Sequence, residues 1–348
     1  MYVFRPRVSG NGDEGPVPYR HRCSWERCLN RRRSRKALVG IFLGLFAQST
    51  TWAAEPVRNG FVLAPASIPA AEILSGGPSR DGIPALDHPA TLSAERADWS
   101  SDALVLGVVV EGRARAYPVA ILNWHELVND TLGGEPILVS FCPLCGTGMI
   151  FDRRVRGAAR TFGVSGLLYR SDLLMYDHES QSLWSQIAAE AVVGPAIGER
   201  LHLLRSKIDH WGNWRRDHPD TTVLSRKTGH RRDYNRSPYA GYSSSKKLYF
   251  PVSIDPRYHP KMPTLGLRIP GKGARAYPAS ELAKSGGSVA DRFLGRNVRV
   301  SYDSDRQLFS VEAPAEVDVV EGFWFAWAAF HPKSSVYRAS EVSARTDD

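Results

Sequence analysis

The first marked hydrophobic feature of the chain is a short continuous apolar run, residues 37–47 (ALVGIFLGLFA). It follows a basic cluster at residues 31–36 and precedes the small residues Ala53 and Ala54. This order is typical of a signal sequence. Since a membrane span needs about 20 apolar residues, we expect cleavage rather than anchoring. The pattern predicts a leader over residues 1–54 and an exported protein, periplasmic or extracellular.

Beyond the leader, apolar positions form short strand-like segments. Residues 104–110 and 113–117 predict two strands of a hairpin that turns at Glu111 and Gly112. Pro118 suits the first turn of a helix, which we expect to run to Asn129, and residues 136–141 predict the next strand. Strands and short helices therefore mix without a regular alternation.

An internal repeat organises these segments. The run 112–118 (GRARAYP) recurs as 273–278 (GARAYP), and 214–223 (WRRDHPDTTV) matches 327–336 (WAAFHPKSSV) in the same order. The offset between the copies is 161 residues at Val139 but 113 at His218, so the first copy holds about 48 more residues. They lie between about Ile150 and Leu204.

The repeat leads to a fold prediction: an α+β fold rich in antiparallel sheet, built from one duplicated unit as two pseudo-symmetric halves. We expect an N-terminal extension (residues 55–102) and a first copy that carries the chemistry (103–230). A Tyr- and Pro-rich connection (231–263) and a degenerate second copy (264–348) follow.

Charge gives little reason to expect a nucleic-acid partner. The formal net charge is +9, but residues 1–54 contain 10 of the 45 basic and only 3 of the 36 acidic residues, which leaves 35 against 33. The basic excess therefore belongs to the leader. We expect a small-molecule substrate or a protein partner, and contact with a membrane only through an uncleaved leader.

The candidate chemistry centres on Cys142 and Cys145, in the segment 142–146 (CPLCG) between two strand-like runs. A tight turn of this spacing can direct both sulfur atoms into one concavity and is typical of a metal-binding knuckle. No second pair of this kind follows in the sequence. Further ligands must come from other residue types.

Two histidines are candidate ligands. His125 lies on the apolar face of the predicted helix, and Ser285 replaces it in the second copy, so it belongs with the cysteines to the first copy. A buried histidine bonded to backbone would give the same pattern. His178 lies between carboxylates in residues 176–179 (YDHE), which could orient an imidazole, although an exposed turn would read the same.

A third candidate group, in the 48-residue insertion, is Tyr169, Arg170 and Asp172. A guanidinium beside hydroxyl groups and a carboxylate can bind an anionic substrate. A simple ion pair in a loop is the alternative.

Several segments resemble a family, the exported bacterial and archaeal proteins grouped as domain of unknown function 3179. The resemblance rests on residues 123–126 (NWHE), 141–148 (FCPLCGTG), 162–176 (FGVSGLLYRSDLLMY), 183–186 (LWSQ), 232–234 (RDY) and 238–239 (PY). It implies export and this cysteine turn, and it supplies no activity.

Three functions remain in view. The first is a metal-dependent protein, with oxidoreductase activity expected, in which Cys142, Cys145, His125 and His178 bind copper or zinc. The second is a non-enzymatic binding module with a static disulfide. The third is a thiol–disulfide redox protein, disfavoured because such pairs usually lie at a helix N-terminus.

Overall fold

Short strands dominate the computed structural model, which describes residues 55–340. About 43% of these residues are strand and 12% are helix, and the strands form a five-bladed β-propeller. The predicted α+β fold of two pseudo-symmetric halves is therefore wrong. The predicted leader, residues 1–54, lies outside the described residues.

The strands are short and rich in β-branched and aromatic residues, which fit a pleated, half-buried surface. The first thirteen are β1 Val57–Arg58, β2 Phe61–Val62, β3 Ile73–Ser75, β4 Leu86–Asp87, β5 Thr91–Ser93, β6 Leu104–Val110, β7 Arg113–Pro118, β8 Leu127–Leu132, β9 Glu135–Cys142, β10 Thr147–Asp152, β11 Arg154–Val155, β12 Ala158–Ala159 and β13 Phe162–Tyr169. The others are β14 Asp172–Asp177, β15 Leu183–Ser185, β16 Glu190–Val193, β17 His202–Leu204, β18 Ser206–His210, β19 Thr222–Leu224, β20 Pro263–Ile269, β21 Gly273–Pro278, β22 Ser288–Phe293, β23 Arg296–Asp303, β24 Leu308–Glu312, β25 Asp318–Phe323 and β26 Ser335–Val336.

Four short α-helices connect strands within the described residues: α1 Val119–His125, α2 Trp211–Asp217, α3 Ala279–Lys284 and α4 Trp324–Phe330. Two 3₁₀ turns lie at Ala70–Glu72 and Ala94–Arg96. In residues 55–340 there is no helix of the length and apolar character needed to cross a membrane.

The five blades, within the described residues, are the larger sheets. We number them by the position of their first hairpin: blade 1 is β18-β6-β7-β19-β5, blade 2 is β17-β10-β9-β8-β4, blade 3 is β16-β15-β14-β13-β3, blade 4 is β25-β20-β21-β26 and blade 5 is β22-β23-β24. Blades 1 to 4 include strands that come from distant parts of the chain. These sheets are completed by pairs of strands that lie far apart in the sequence, and a local hydrophobic pattern does not reveal such pairs.

The matched segments of the sequence build sheets of the same topology. In blade 1, β18 pairs antiparallel with β6 and β19 pairs parallel with β7, while β25, β20, β26 and β21 repeat this arrangement in blade 4. Trp214 packs on Gly107 and Trp327 packs on Gly266, so closely that a Cβ atom on either glycine would lie 2.4 or 2.0 Å from the indole. The first copy of the repeat builds blades 1 and 2 and the second copy builds blades 4 and 5, while blade 3 comes mainly from the insertion, so the molecule does not divide into two equal halves.

The 48-residue insertion is a blade in its own right. Strands β13 to β16, which lie between Ile150 and Leu204, make four of the five strands of blade 3. The fifth strand, β3, comes from the predicted N-terminal extension and pairs with β13. The insertion is thus a structural unit that packs beside blade 2.

The predicted hairpin is confirmed, and the predicted helix is too long. Strands β6 and β7 pair around Glu111 and Gly112, whose φ angles of 47° and 69° suit a two-residue hairpin turn. Helix α1 ends at His125 rather than Asn129, because Glu126 has φ 58° and the chain then enters β8. Residues 225–262, around the predicted connection, contain no helix or strand.

Candidate metal centre

The cysteine turn connects β9 to β10 in blade 2. Cys142 pairs with Thr147 across the hairpin, so residues 143–146 form the turn that the sequence predicts. Gly146 has φ 61°, and a Cβ atom there would lie 3.0 Å from the Phe323 ring. The carbonyl of Cys145 accepts a hydrogen bond from the Phe323 N–H at 2.8 Å. Only glycine fits this position easily, and the turn is held against blade 4.

A second tight turn brings Asp172 to the cysteines. Tyr169 and Asp172 pair at the end of the β13–β14 hairpin, and the two residues between them, Arg170 and Ser171, have φ angles of 52° and 67°. Two positive φ values define a type I′ turn, in which residues other than Gly, Asn or Asp are unfavourable. The carbonyl of Ser171 accepts a hydrogen bond from the Cys145 thiol at 3.4 Å.

Cys142, Cys145 and Asp172 form the candidate centre. The two sulfur atoms and a carboxylate oxygen of Asp172 all lie within 4.8 Å of one another, and all three residues are buried. The cysteines are free thiols. Asp172 Oδ2 accepts a hydrogen bond from the Ile187 N–H at 3.0 Å, while Oδ1 has no hydrogen-bond partner. This group could hold a metal ion.

Other polar atoms around the centre also lack partners. Ser171 Oγ, Gln186 Oε1 and Tyr242 Oη are buried without a hydrogen bond. Buried polar atoms are usually satisfied, and an exception calls for an explanation such as a bound ion or water. Because these atoms cluster around two thiols and a carboxyl, the centre offers suitable partners for a bound ion or water.

Burial dominates the electrostatics of the centre. It raises the pKa of Asp172 to about 7, against the opposing effect of the hydrogen bond from the Ile187 N–H. Burial also raises the pKa of Cys142 and, well above its usual range, that of Cys145, and the charge of Asp172 adds to both shifts. None of these causes is a basic side chain. A cation would therefore stabilise the ionised forms.

Glu126 is a further acid beside the centre, which the sequence interpretation does not single out. It caps the C-terminus of α1 and is only 8% exposed. Burial, together with the charge of Asp172, raises its pKa to about 8. Its carboxyl makes no hydrogen bond or ion pair with another residue of the described range 55–340.

His125 does not join the cysteines, contrary to the expectation from the repeat. Its Nδ1–H donates to the Pro84 carbonyl at 2.8 Å, and its Nε2 accepts from the Tyr234 hydroxyl at 2.7 Å. Burial lowers its pKa to about 4, so the ring is neutral at pH 7. Both nitrogen atoms are engaged, as in the alternative of a buried structural histidine.

The other predicted site residues are also separated from the cysteines, apart from Asp172. His178 is exposed and stacks on Tyr176, with ring centroids 5.0 Å apart. Arg170 donates to the Ala329 carbonyl at 2.6 Å. Tyr169 packs edge-on against Phe330. The proposed anion-binding group of Tyr169, Arg170 and Asp172 is thus divided, because the tight turn directs Asp172 toward the thiols and Arg170 toward α4.

Fold and site together define a five-bladed β-propeller with a buried Cys–Cys–Asp centre between two blades. The model of the family described as "Protein of unknown function (DUF3179)" matches residues 80–315, and the chain belongs to this family. The matched region includes Glu126, both cysteines and Asp172. No curated protein and no solved structure matches the chain.

Proposed function

We propose that this protein binds one metal ion through Cys142, Cys145 and Asp172, and that the ion is zinc. The observation that carries the proposal is the convergence of two thiols and a carboxyl within 4.8 Å in a buried site. Asp172 Oδ1, which has no partner, is available as a ligand atom. A divalent cation would offset two of the three negative charges of two thiolates and a carboxylate, whose pKa shifts have no basic side chain of residues 55–340 among their causes.

The ligand types favour zinc over copper. Zinc accepts cysteine sulfur and carboxylate oxygen in tetrahedral sites, whereas reduced copper prefers an entirely soft ligand set of thiolates and thioethers. The histidines that would have made a copper site more suitable lie elsewhere. With three protein ligands, a fourth position stays open for water or a substrate, which is typical of catalytic rather than structural zinc.

An open zinc position supports Lewis-acid or hydrolytic chemistry on a small-molecule substrate. The apolar run at residues 37–47 predicts export from the cytoplasm to a compartment where cysteine pairs usually oxidise to disulfides. Metal binding would explain why these two cysteines remain reduced there. A thiol–disulfide reaction is disfavoured, since burial raises the pKa of both thiols and removes the thiolate that such a reaction needs.

The test is metal analysis of the mature protein, residues 55–348, purified without a metal-affinity tag, together with thiol titration. We expect about one zinc per chain in the wild type, and a loss of at least tenfold in occupancy for Asp172→Asn and Cys142→Ser. Asp152→Asn, an equal change on the partly exposed β10, is the matched control and should keep full occupancy.

Full zinc occupancy in Asp172→Asn would remove this residue from the ligand set. Copper in place of zinc would keep the site and refute the choice of metal. A metal-free wild type without free thiols would contradict the proposal and support a static disulfide.

A further inference from the structure

A cavity of about 140 Å³ lies beside the candidate metal centre. Its wall includes Leu144, which stands between the two cysteines, and Leu173, which follows Asp172. Strand β13 contributes Val164 and Leu168, and Phe250 from the irregular segment 225–262 adds to the wall. The same short turns that hold the metal ligands therefore also shape an apolar chamber.

Glu126 is the one carboxyl group in this wall, within the described part of the chain. Its pKa responds to Asp172, and the pKa of Tyr239, another wall residue, is raised by burial and then by the charge of Glu126. Tyr239 also responds to Cys142. Glu126 and Tyr239 are thus electrostatically coupled to the candidate metal centre, whose sequence neighbours Leu144 and Leu173 are part of the same wall.

The position of Glu126 is unfavourable for folding alone. Its φ and ψ of 58° and −39° fall outside the regions that a glutamate normally adopts, so the backbone is strained there. Its carboxyl is part of the cavity wall and makes no hydrogen bond with another residue of the range 55–340. Residues held in such a way are usually found where a ligand binds, since a ligand supplies the missing contact.

The volume of the cavity limits the size of the ligand. An apolar cavity of about 150 Å³ in another protein binds benzene, so this chamber accommodates a group of about six to eight heavy atoms. The wall offers no basic side chain within the described residues, which disfavours an anion. A neutral ligand with an apolar body and one hydroxyl or carbonyl group matches both ends of the cavity.

We propose that this cavity binds the apolar part of a small neutral substrate, whose polar group forms a hydrogen bond with Glu126 next to the metal. This inference rests on the proposed function, because the polar group is placed toward the zinc ligands. Glu126 is thereby a binding residue, and the apolar wall determines specificity. The substrate class is a small aromatic or branched aliphatic alcohol, ester or amide.

The experiment is calorimetric titration of the metal-loaded mature protein with two probes, benzyl alcohol and benzene. We expect both probes to bind the wild type. Glu126→Leu should weaken benzyl alcohol about tenfold, the loss of one hydrogen bond, and leave benzene unchanged. Glu321→Leu, which alters an acid outside the cavity, is the matched control and should bind both probes like the wild type.

Filling the cavity is the second arm. Val164→Phe should fill the cavity and abolish binding of both probes. If this variant folds poorly, Ile83→Phe at a half-buried wall position fills the cavity instead and should have the same effect. Metal content is measured on every sample. A metal-loaded wild type that binds neither probe, or a folded filled variant that still binds, would overturn the inference. Probe binding by a protein that never holds metal would refute the metal site and leave the cavity assignment intact.

Discussion

Glu126 shows how one residue can influence fold and site together. Its positive φ ends α1 at His125 and leads the chain into β8 at Leu127, so the same conformation sets the helix length and places the carboxyl where the charge of Asp172 raises its pKa. A glycine or asparagine would adopt this conformation more easily. A glutamate at this strained position suits the binding role that we propose for its carboxyl.

The raised pKa of Glu126 predicts how the metal-free protein responds to pH. The folded pKa is about 8, against about 4.3 for an unfolded glutamate. A carboxyl whose pKa is higher in the folded than in the unfolded state stabilises the fold fully at pH values below the unfolded pKa. That stabilisation is lost as the pH rises toward the folded pKa. Stability of the chelated protein should therefore fall between pH 5 and pH 8, with Asp172 acting in the same direction.

Urea unfolding of the chelated protein at several pH values measures this effect. Between pH 5 and pH 8 the wild type should lose free energy of unfolding on the order of a few kcal/mol, since each pKa unit corresponds to about 1.4 kcal/mol. In Glu126→Gln, whose side chain cannot ionise, this part of the loss should disappear. Equal pH slopes in the wild type and Glu126→Gln would show that this carboxyl does not carry the effect.

His125 is predicted to be structural. His125→Ala leaves the Tyr234 hydroxyl and the Pro84 carbonyl without their partner, so we expect a loss of about 1–3 kcal/mol in the free energy of unfolding. Metal occupancy should remain at the wild-type level. A folded variant with no metal would return His125 to the ligand set.

At the scale of elements, the sequence is informative wherever a signal is local. The hairpin at Glu111 and Gly112 and the turn at Cys142 follow from spacing and turn residues, and both are found. Asp172 is harder to assign, since its neighbours Arg170 and Ser171 carry no glycine signal for the turn that directs it toward the thiols. From the sequence, Asp172 is therefore grouped with Tyr169 and Arg170 and not with the cysteines.

The contact between glycine and tryptophan is a second element-scale feature that can be tested. Gly107→Ala places a methyl group against the Trp214 indole, where a Cβ atom would lie 2.4 Å from the ring. Overpacking of this kind costs about 1–3 kcal/mol, which chemical unfolding should detect. Gly273→Ala, in a strand where the nearest atom lies at 3.5 Å, is the matched control and should be nearly neutral. Equal stability of the two variants would contradict the proposed packing.

The whole fold depends on pairs that are distant in sequence. Strand β18 pairs with β6, so that Ile208 lies opposite Leu106, and β3 joins blade 3 from the N-terminal side. Hydrophobic periodicity identifies each strand but does not specify a partner 100 residues away. The sequence therefore predicts strands and the repeat, whereas the five blades come only from the structure.

The candidate metal centre lies between two blades, because the cysteines belong to blade 2 and Asp172 belongs to blade 3. If an ion binds there as proposed, its removal should lower the melting temperature and increase amide hydrogen exchange in both turns, residues 143–146 and 170–171. Hydrogen exchange followed by mass spectrometry, with and without chelator, measures this. Peptides of blade 5, Ser288–Glu312, act as the internal control, and an increase confined to one of the two turns would contradict a bridging ion.

The division of the ligands between blades also has a consequence for biogenesis. The donor set is complete only after blade 3, which includes the early strand β3, has docked beside blade 2. If the protein is exported, as the apolar run at residues 37–47 predicts, its unfolded chain has no preorganised pocket for an ion during export. The proposed ion would then bind where folding finishes, so the metal supply of that compartment, and not that of the site of synthesis, would determine which ion the protein carries.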